Sequence, residues 1–296
     1  MDFSIIVDGH SVWLPAVALL GLVVGLIAGM FGVGGGFLLV PLLNVVLGVP
    51  WPIAVGAGLC QTIATALGAL LRYRAMGHAE SRFDIMLLGG SFLGVDAGAR
   101  MLEYLKTASS FDIGGRSITA VNLILPIGYT LLFAITAALL WFKPSPRDDA
   151  PTKPGPLARL RIPPLTNLPV AGLSGVSGLV VATVGFGNGV LAGLLGIGGG
   201  ITLIPIMLYG FGFDIKKTAG TGIVVVLVVA LVGTVQHARL GNVHLGLAMT
   251  LMVGSALAAQ VGASLTRTLQ PSTMRKSLAI VLAITLVGIL GKPFLQ

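Results

Sequence analysis

The sequence predicts an all-α polytopic membrane protein of two inverted repeats, each of about five helical segments, with broken or re-entrant helices at glycine triplets. Three observations lead there. Of 296 residues, 55% are hydrophobic and 9% charged, with a mean hydropathy of +0.98; a soluble domain carries about 25% charge. One stretch also occurs twice, as GLIAGMFGVGGGFLLVP at 25–41 and GVLAGLLGIGGGITLIP at 189–205. The 164-residue offset continues without a gap through Gly56/Gly220, Gly77/Gly241 and Gly98-Ala99/Gly262-Ala263, so homologous halves fill most of the chain. Finally, Lys and Arg are lopsided between loops. An odd number of crossings per half with the N-terminus outside puts thirteen of them in the cytoplasm and four outside, whereas parallel halves give 10 to 7. The positive-inside bias therefore favours inversion.

Taken in order, apolar segments fall at about 14–33, 37–49, 52–74, 84–105 and 118–142, then at about 170–196, 201–213, 217–237, 244–267 and 275–291. Most are long enough to span. The second and seventh have 13 residues each, about 20 Å of helix. Each crosses obliquely or folds back on its predecessor as a re-entrant hairpin. The N-terminus, MDFSIIVDGHSVW, has no Lys or Arg before the first apolar run, so that run is expected to be retained rather than cleaved. Residues 1–142 form the first transmembrane repeat and 170–296 the second. Between them, 143–169 is rich in Pro and charge and reads as a passive, extended cytoplasmic linker.

Composition narrows the function. The net charge of +8 and pI near 10.1 reflect basic residues in loops, which act as topology signals rather than a nucleic-acid surface. The apolar runs are too continuous for an outer-membrane barrel. The single Cys60 rules out an intrachain disulfide and a Cys-based metal site. His10, His78, His237 and His244 fall in or near loops, with no partner at metal-ligand spacing, and His237 reads as a solvated loop residue. No Ser-His-Asp set, paired buried carboxylates or HExxH is visible, so neither enzyme, metal nor cofactor is expected.

The glycine triplets Gly34-Gly35-Gly36 and Gly198-Gly199-Gly200 are the leading site candidates. Consecutive glycines break a helix, each costing about 1 kcal/mol relative to Ala. Non-helical backbone survives at membrane depth only where protein buries it or a watery cavity lines it. The segment that restarts after each triplet presents free N–H groups and a positive dipole end to an anion. GVGGGF is no nucleotide loop, since no Lys-Ser/Thr follows it. The spaced series Gly21-Gly25-Gly29 and Gly90-Gly94-Gly98 are, by contrast, helix-packing ridges.

Polar residues inside the spans are few. Asp96 is the acid well inside a predicted span and Arg100 the equally deep base, four apart on one helix face and able to pair. The pair is either functional, with Arg100 an anion contact and Asp96 a relay, or a neutralised structural pair. The third segment carries Cys60, Gln61, Thr62 and Thr65, whose repeat mates are Val224, Val225, Val226 and Val229. The second half offers Thr218, Thr221 and Gln260 instead. A site between the repeats would thus be chemically lopsided.

The doubled G-x-x-G-x-G-G-G-(x)4-P pattern, from Gly29 to Gly36 with Pro41 and from Gly193 to Gly200 with Pro205, resembles the sulfite exporter TauE/SafE family of bacterial and archaeal membrane proteins. The likeness covers nearly the whole chain. It implies ion-coupled export of sulfite or a small organosulfonate across the cytoplasmic membrane, with that small anion and the lipid bilayer as partners. The expectation is a secondary transporter in the cell inner membrane, with the glycine triplets as unwound backbone around the substrate. Gln61, Thr62 and Thr221 are expected as neutral ligands, Arg100 as an anion contact and Asp96 as the ion-coupling group. A passive anion channel and a non-transporting scaffold remain the other classes.

Overall fold

The computed structural model describes residues 4–74, 80–108, 111–113, 116–143, 154–266 and 268–291. His78, Arg147, Lys153, Arg267 and Lys292, and residues 144–153 of the expected linker, lie outside the described residues. The first half contains α1 (Leu14–Phe31), α2 (Gly36–Leu47), α3 (Trp51–Arg74), α4 (Ser81–Thr107) and α5 (Ala120–Phe142). The second contains α6 (Gly178–Leu195), α7 (Gly200–Pro205, prolonged by a π-helical turn at Ile206–Phe211), α8 (Ile215–Arg239), α9 (Leu245–Leu265) and α10 (Pro271–Gly291). Eight of these are long and apolar enough to cross a membrane, and the helices at 36–47 and 200–211 are shorter. The chain is a multi-pass membrane protein.

The repeat is structural as well as sequential. Leu14–Phe31 maps onto Gly178–Leu195, and Gly36 onto Gly200, at the 164-residue offset. The match extends into short antiparallel hairpins, which the all-helical expectation omitted. β1 (Ser4–Val7) and β2 (His10–Trp13) precede α1, and β5 (Leu165–Leu168) and β6 (Leu173–Ser177) precede α6. β3 (Phe111–Ile113) and β4 (Arg116–Ile118) join α4 to α5. The segment expected as an extended linker is therefore folded from Pro154 onward, with a 3-10 turn at Leu157–Arg159 leading into β5 and β6. Its leucines and valines cause this: Ala158, Leu168, Leu173 and Val176 pack into one cluster with Phe83, Phe211 and Phe213.

Caps fix where helices start. Ser177 accepts from the Val180 N–H at the head of α6, and Asp214 from the Lys217 N–H at the head of α8. Gly32 and Gly196 end α1 and α6 in the left-handed conformation that glycine tolerates.

Contact register gives the handedness of the repeat. Gly21 lies against Leu251, Gly25 against Ser255 and Gly29 against Ala259, so α1 runs with α9. Gly90 lies against Ala182, Gly94 against Phe186 and Gly98 against Val190, so α4 runs with α6. Gly56 meets Asn242 and Gly68 meets Ala256, which adds α3 to the first set. Glu80 meets Thr221 and Asp96 meets Gln236, which adds α8 to the second. Leu59 touches Gly233 while Ala69 and Leu70 cluster with Ala219 and Ile223, so α3 and α8 are antiparallel. α1, α3 and α4 thus oppose their repeat mates α6, α8 and α9: the halves are inverted.

The same register gives the direction of the first short segment. The Gly36 N–H bonds Thr62 and Val40 packs on Gly58, so α2 runs against α3 and hence against α1. α1 and α2 form an antiparallel pair joined at the glycine break. The packing ridges read from sequence do pack, but between halves, with α1 on α9 and α4 on α6.

Candidate functional site

The two glycine breaks meet at the centre of the bundle. A Cβ at Gly36 would overlap the Gly196 carbonyl oxygen, and one at Gly200 the Val33 carbonyl oxygen, so backbone from one half lies directly on backbone from the other. Gly32 rests on Ala219 and Gly196 on Val55, an equivalent pair at the 164-residue offset. Only residues without side chains allow this approach. Gly199 also requires glycine by conformation, with φ at 81°.

Thr62, on α3, stands between the breaks. A Cβ at Gly34 or at Gly198 would come within 2.6 Å of its methyl carbon. Its hydroxyl donates to Gly58 O at 2.8 Å and accepts from the Gly36 N–H at 2.9 Å, so it caps the head of α2. That N–H is already satisfied. Thr65 likewise bonds back to the carbonyls of Gln61 and Thr62.

Two side-chain amides complete the site. Gln61 is fully buried against Gly35, and neither Nε2 nor Oε1 has a hydrogen-bond partner among the described residues. Asn188, on α6, is buried against Gly199; its Oδ1 accepts from the Thr202 hydroxyl while Nδ2 has no partner among the described residues. Gly35 and Gly199 are repeat mates, yet Gln61 comes from α3 and Asn188 from α6. Each break thus faces one carboxamide, supplied by a non-equivalent helix. A buried polar group without a partner costs about 1–3 kcal/mol, and among the described residues Gln61 Nε2 and Oε1 and Asn188 Nδ2 are such groups at the two breaks.

The structure brings together Gly34, Gly35, Gly36, Gly198, Gly199, Gly200, Gln61 and Thr62. The other expected site residues lie elsewhere. Thr221 is buried at the start of α8, where it accepts from the Glu80 N–H at 3.1 Å. Asp96 and Arg100 do pair, at 2.8 Å, but the Arg100 side chain is 78% exposed on the outside of α4. Asp96 also accepts from Gln236 Nε2 at 2.9 Å. Gln236 is ten positions along α8 from Val226, which touches Gly34, so the pair sits about 15 Å along the helix from the breaks.

Sequence reasoning missed Asn188, although it is an amide within the otherwise apolar GLVVATVGFGNGVLAGLL. The rule applied to Asp96, that a polar group inside a span needs a reason, would have found it. His237 is also corrected: it is fully buried, with Nε2 at 2.8 Å from Gly193 O. The end of α8 is covered there by α6, which sequence position alone does not reveal.

A bundle of two inverted repeats whose helix breaks touch, each facing a buried amide, defines an inverted-repeat membrane protein with polar groups at its centre. Residues 17–289 match the family model described as Sulfite exporter TauE/SafE, and the chain belongs to that family. Among curated proteins it is 25% identical over 270 residues to "Probable membrane transporter protein YunE" of Bacillus subtilis, covering 89% of this chain and 92% of that one. It is 20% identical over 289 residues to a "Probable membrane transporter protein" of Methanocaldococcus jannaschii, covering 92% and 93%. A protein of the same description from Xylella fastidiosa is 26% identical over 253 residues, covering 85% and 84%. No solved structure matches the chain.

Proposed function

We propose that this protein is a secondary transporter that exports a small sulfur-containing anion, sulfite or an organosulfonate, across the cytoplasmic membrane by alternating access coupled to an ion gradient. Its N-terminus faces outward, as the distribution of Lys and Arg supports. The observation that carries the reading is the pair of buried amides at the central glycines of the two breaks, Gln61 with neither polar atom partnered and Asn188 with Nδ2 unpartnered among the described residues. Their N–H groups suit sulfur-bound oxygens. Neutral donors also bind an anion loosely enough to let it leave. The family membership and the names of the relatives support transport, and the family description supports sulfite.

Contact between the breaks favours alternation over an open pore. Backbone of one half lies on backbone of the other, so solvent reaches the amides only when one inverted half rocks against its partner.

The experiment is efflux of radiolabelled sulfite and sulfoacetate from proteoliposomes. Gln61→Met and Asn188→Leu keep the volume and remove the amide, and each is expected to lower flux at least about tenfold, the loss of about 1.4 kcal/mol of binding. Wild-type flux of both anions retained by both variants overturns the site. No flux of either anion by correctly inserted wild type overturns the substrate.

A further inference from the structure

At the start of α4 lies a buried acid pair that the site above does not use. Glu80 and Asp84 are 2% and 4% exposed, four residues apart on one helix face. Glu80 Oε2 accepts from the Val170 N–H at 2.7 Å and the Ala171 N–H at 3.3 Å. Asp84 Oδ1 is buried beside it with no hydrogen-bond partner among the described residues.

Among the described side chains, none of the cations pairs with either acid. α6 and residues 205–213 contain no charged residue. In 154–177 the charged residues are Arg159 and Arg161, both exposed. Arg82 points outward, donating to Asn167 O at 3.2 Å. The head of α8 carries Asp214, Lys216 and Lys217, of which Lys217 pairs with Asp214 at 3.1 Å. Two neighbouring carboxylates in such a place repel each other and resist burial, and one proton relieves both costs.

We propose that Asp84, with Glu80 beside it, is the binding site of a proton whose arrival shuts this end of the bundle and whose departure opens it. The proton is the coupled ion of the transport cycle, so this rests on the reading given under Proposed function. Glu80 joins three elements at once: α4 itself, α8 through its N–H to Thr221, and the turn at 170–171 through its carboxylate. With the proton bound, the pair carries one charge and the three stay packed. When it leaves, the second charge draws in water and parts them. α8 carries the change to the site, because Ala219 packs on Gly32 and Val226 on Gly34.

The test is infrared spectroscopy of the full-length protein in lipid, titrated between about pH 5 and 9, together with flux of radiolabelled sulfite. The expected result is a carboxylic-acid C=O band from a buried acid that disappears as pH rises, is missing in Asp84→Asn and persists in Glu103→Gln, a surface control. In flux, an imposed proton gradient stimulates wild type severalfold, and in Asp84→Asn the ratio of flux with and without the gradient falls to one. A band that survives in Asp84→Asn, or is absent from wild type throughout, overturns the proton site. A gradient response kept by Asp84→Asn overturns the coupling. If wild type moves no sulfite, the substrate named above fails, and the infrared comparison still decides the proton site.

Discussion

Thr62 and Val226 hold equivalent places in the two repeats and meet on either side of Gly34, with the Thr62 methyl and a Val226 methyl 2.6 and 2.8 Å from where a Cβ there would sit. One mate has a hydroxyl and the other a methyl, so the fold is symmetric where its hydrogen bonding is not. Thr62→Val makes the pair alike. It leaves the Gly36 N–H without its acceptor, at a cost of about 1–3 kcal/mol, whereas Thr62→Ser keeps the bond. Thermal unfolding in detergent should place Thr62→Val below both Thr62→Ser and wild type.

Gln61→Met should have the opposite effect on stability. Replacing an amide whose two polar atoms lack partners with an apolar chain of similar length removes a penalty of about 1–3 kcal/mol. The melting temperature should stay level or rise while transport is lost. A fall in melting temperature would mean that Gln61 is a structural group.

Two glycines on α4 provide a matched pair. A Cβ at Gly94 would overlap the Phe186 carbonyl oxygen, whereas one at Gly89 meets nothing within 4 Å. Gly94→Ala should therefore separate α4 from α6 and sharply reduce folded yield. Gly89→Ala should be neutral, or stabilising by about 0.5–1 kcal/mol through helix propensity. Fluorescence-detected size-exclusion chromatography distinguishes them.

Buried His237 links Gly193 O, at 2.8 Å, to the amide of Asn242, at 3.5 Å. His237→Leu leaves both without that partner and should destabilise the protein by about 1–3 kcal/mol. His237→Gln should recover part of the loss, and unfolding midpoints measure it.

Inversion puts the β1–β2 and β5–β6 hairpins on opposite membrane faces. In a Cys60→Ser background, Asp8→Cys and Ser174→Cys, both exposed positions, should react with an impermeant maleimide from opposite sides. Labelling of both from one side would refute the inverted arrangement.

The membrane class, the repeat and its inversion were legible because composition, glycine spacing and the distribution of Lys and Arg are properties of the chain itself. The meeting of the triplets was legible too, since consecutive glycines have few other uses inside a span. What was not legible depends on partners distant in sequence. Asp84, at the head of α4, is buried in the folded bundle, and no spacing in the sequence signals that burial. Arg100 reads as deep because position along a helix shows, whereas which way a helix is turned does not.

The crossed packing of α1 on α9 and α4 on α6 has a consequence for synthesis. Gly21 and its partner Leu251 are 230 positions apart. At about 5–20 residues per second, α1 waits on the order of ten to fifty seconds for the surface that fits it. Through that interval its bare glycine ridge faces lipid or whatever helix the insertion machinery provides. Only when α9 emerges does the first helix made acquire its final neighbour, so the bundle closes from its last-made half and a ribosome stalled before α9 leaves α1 an orphan.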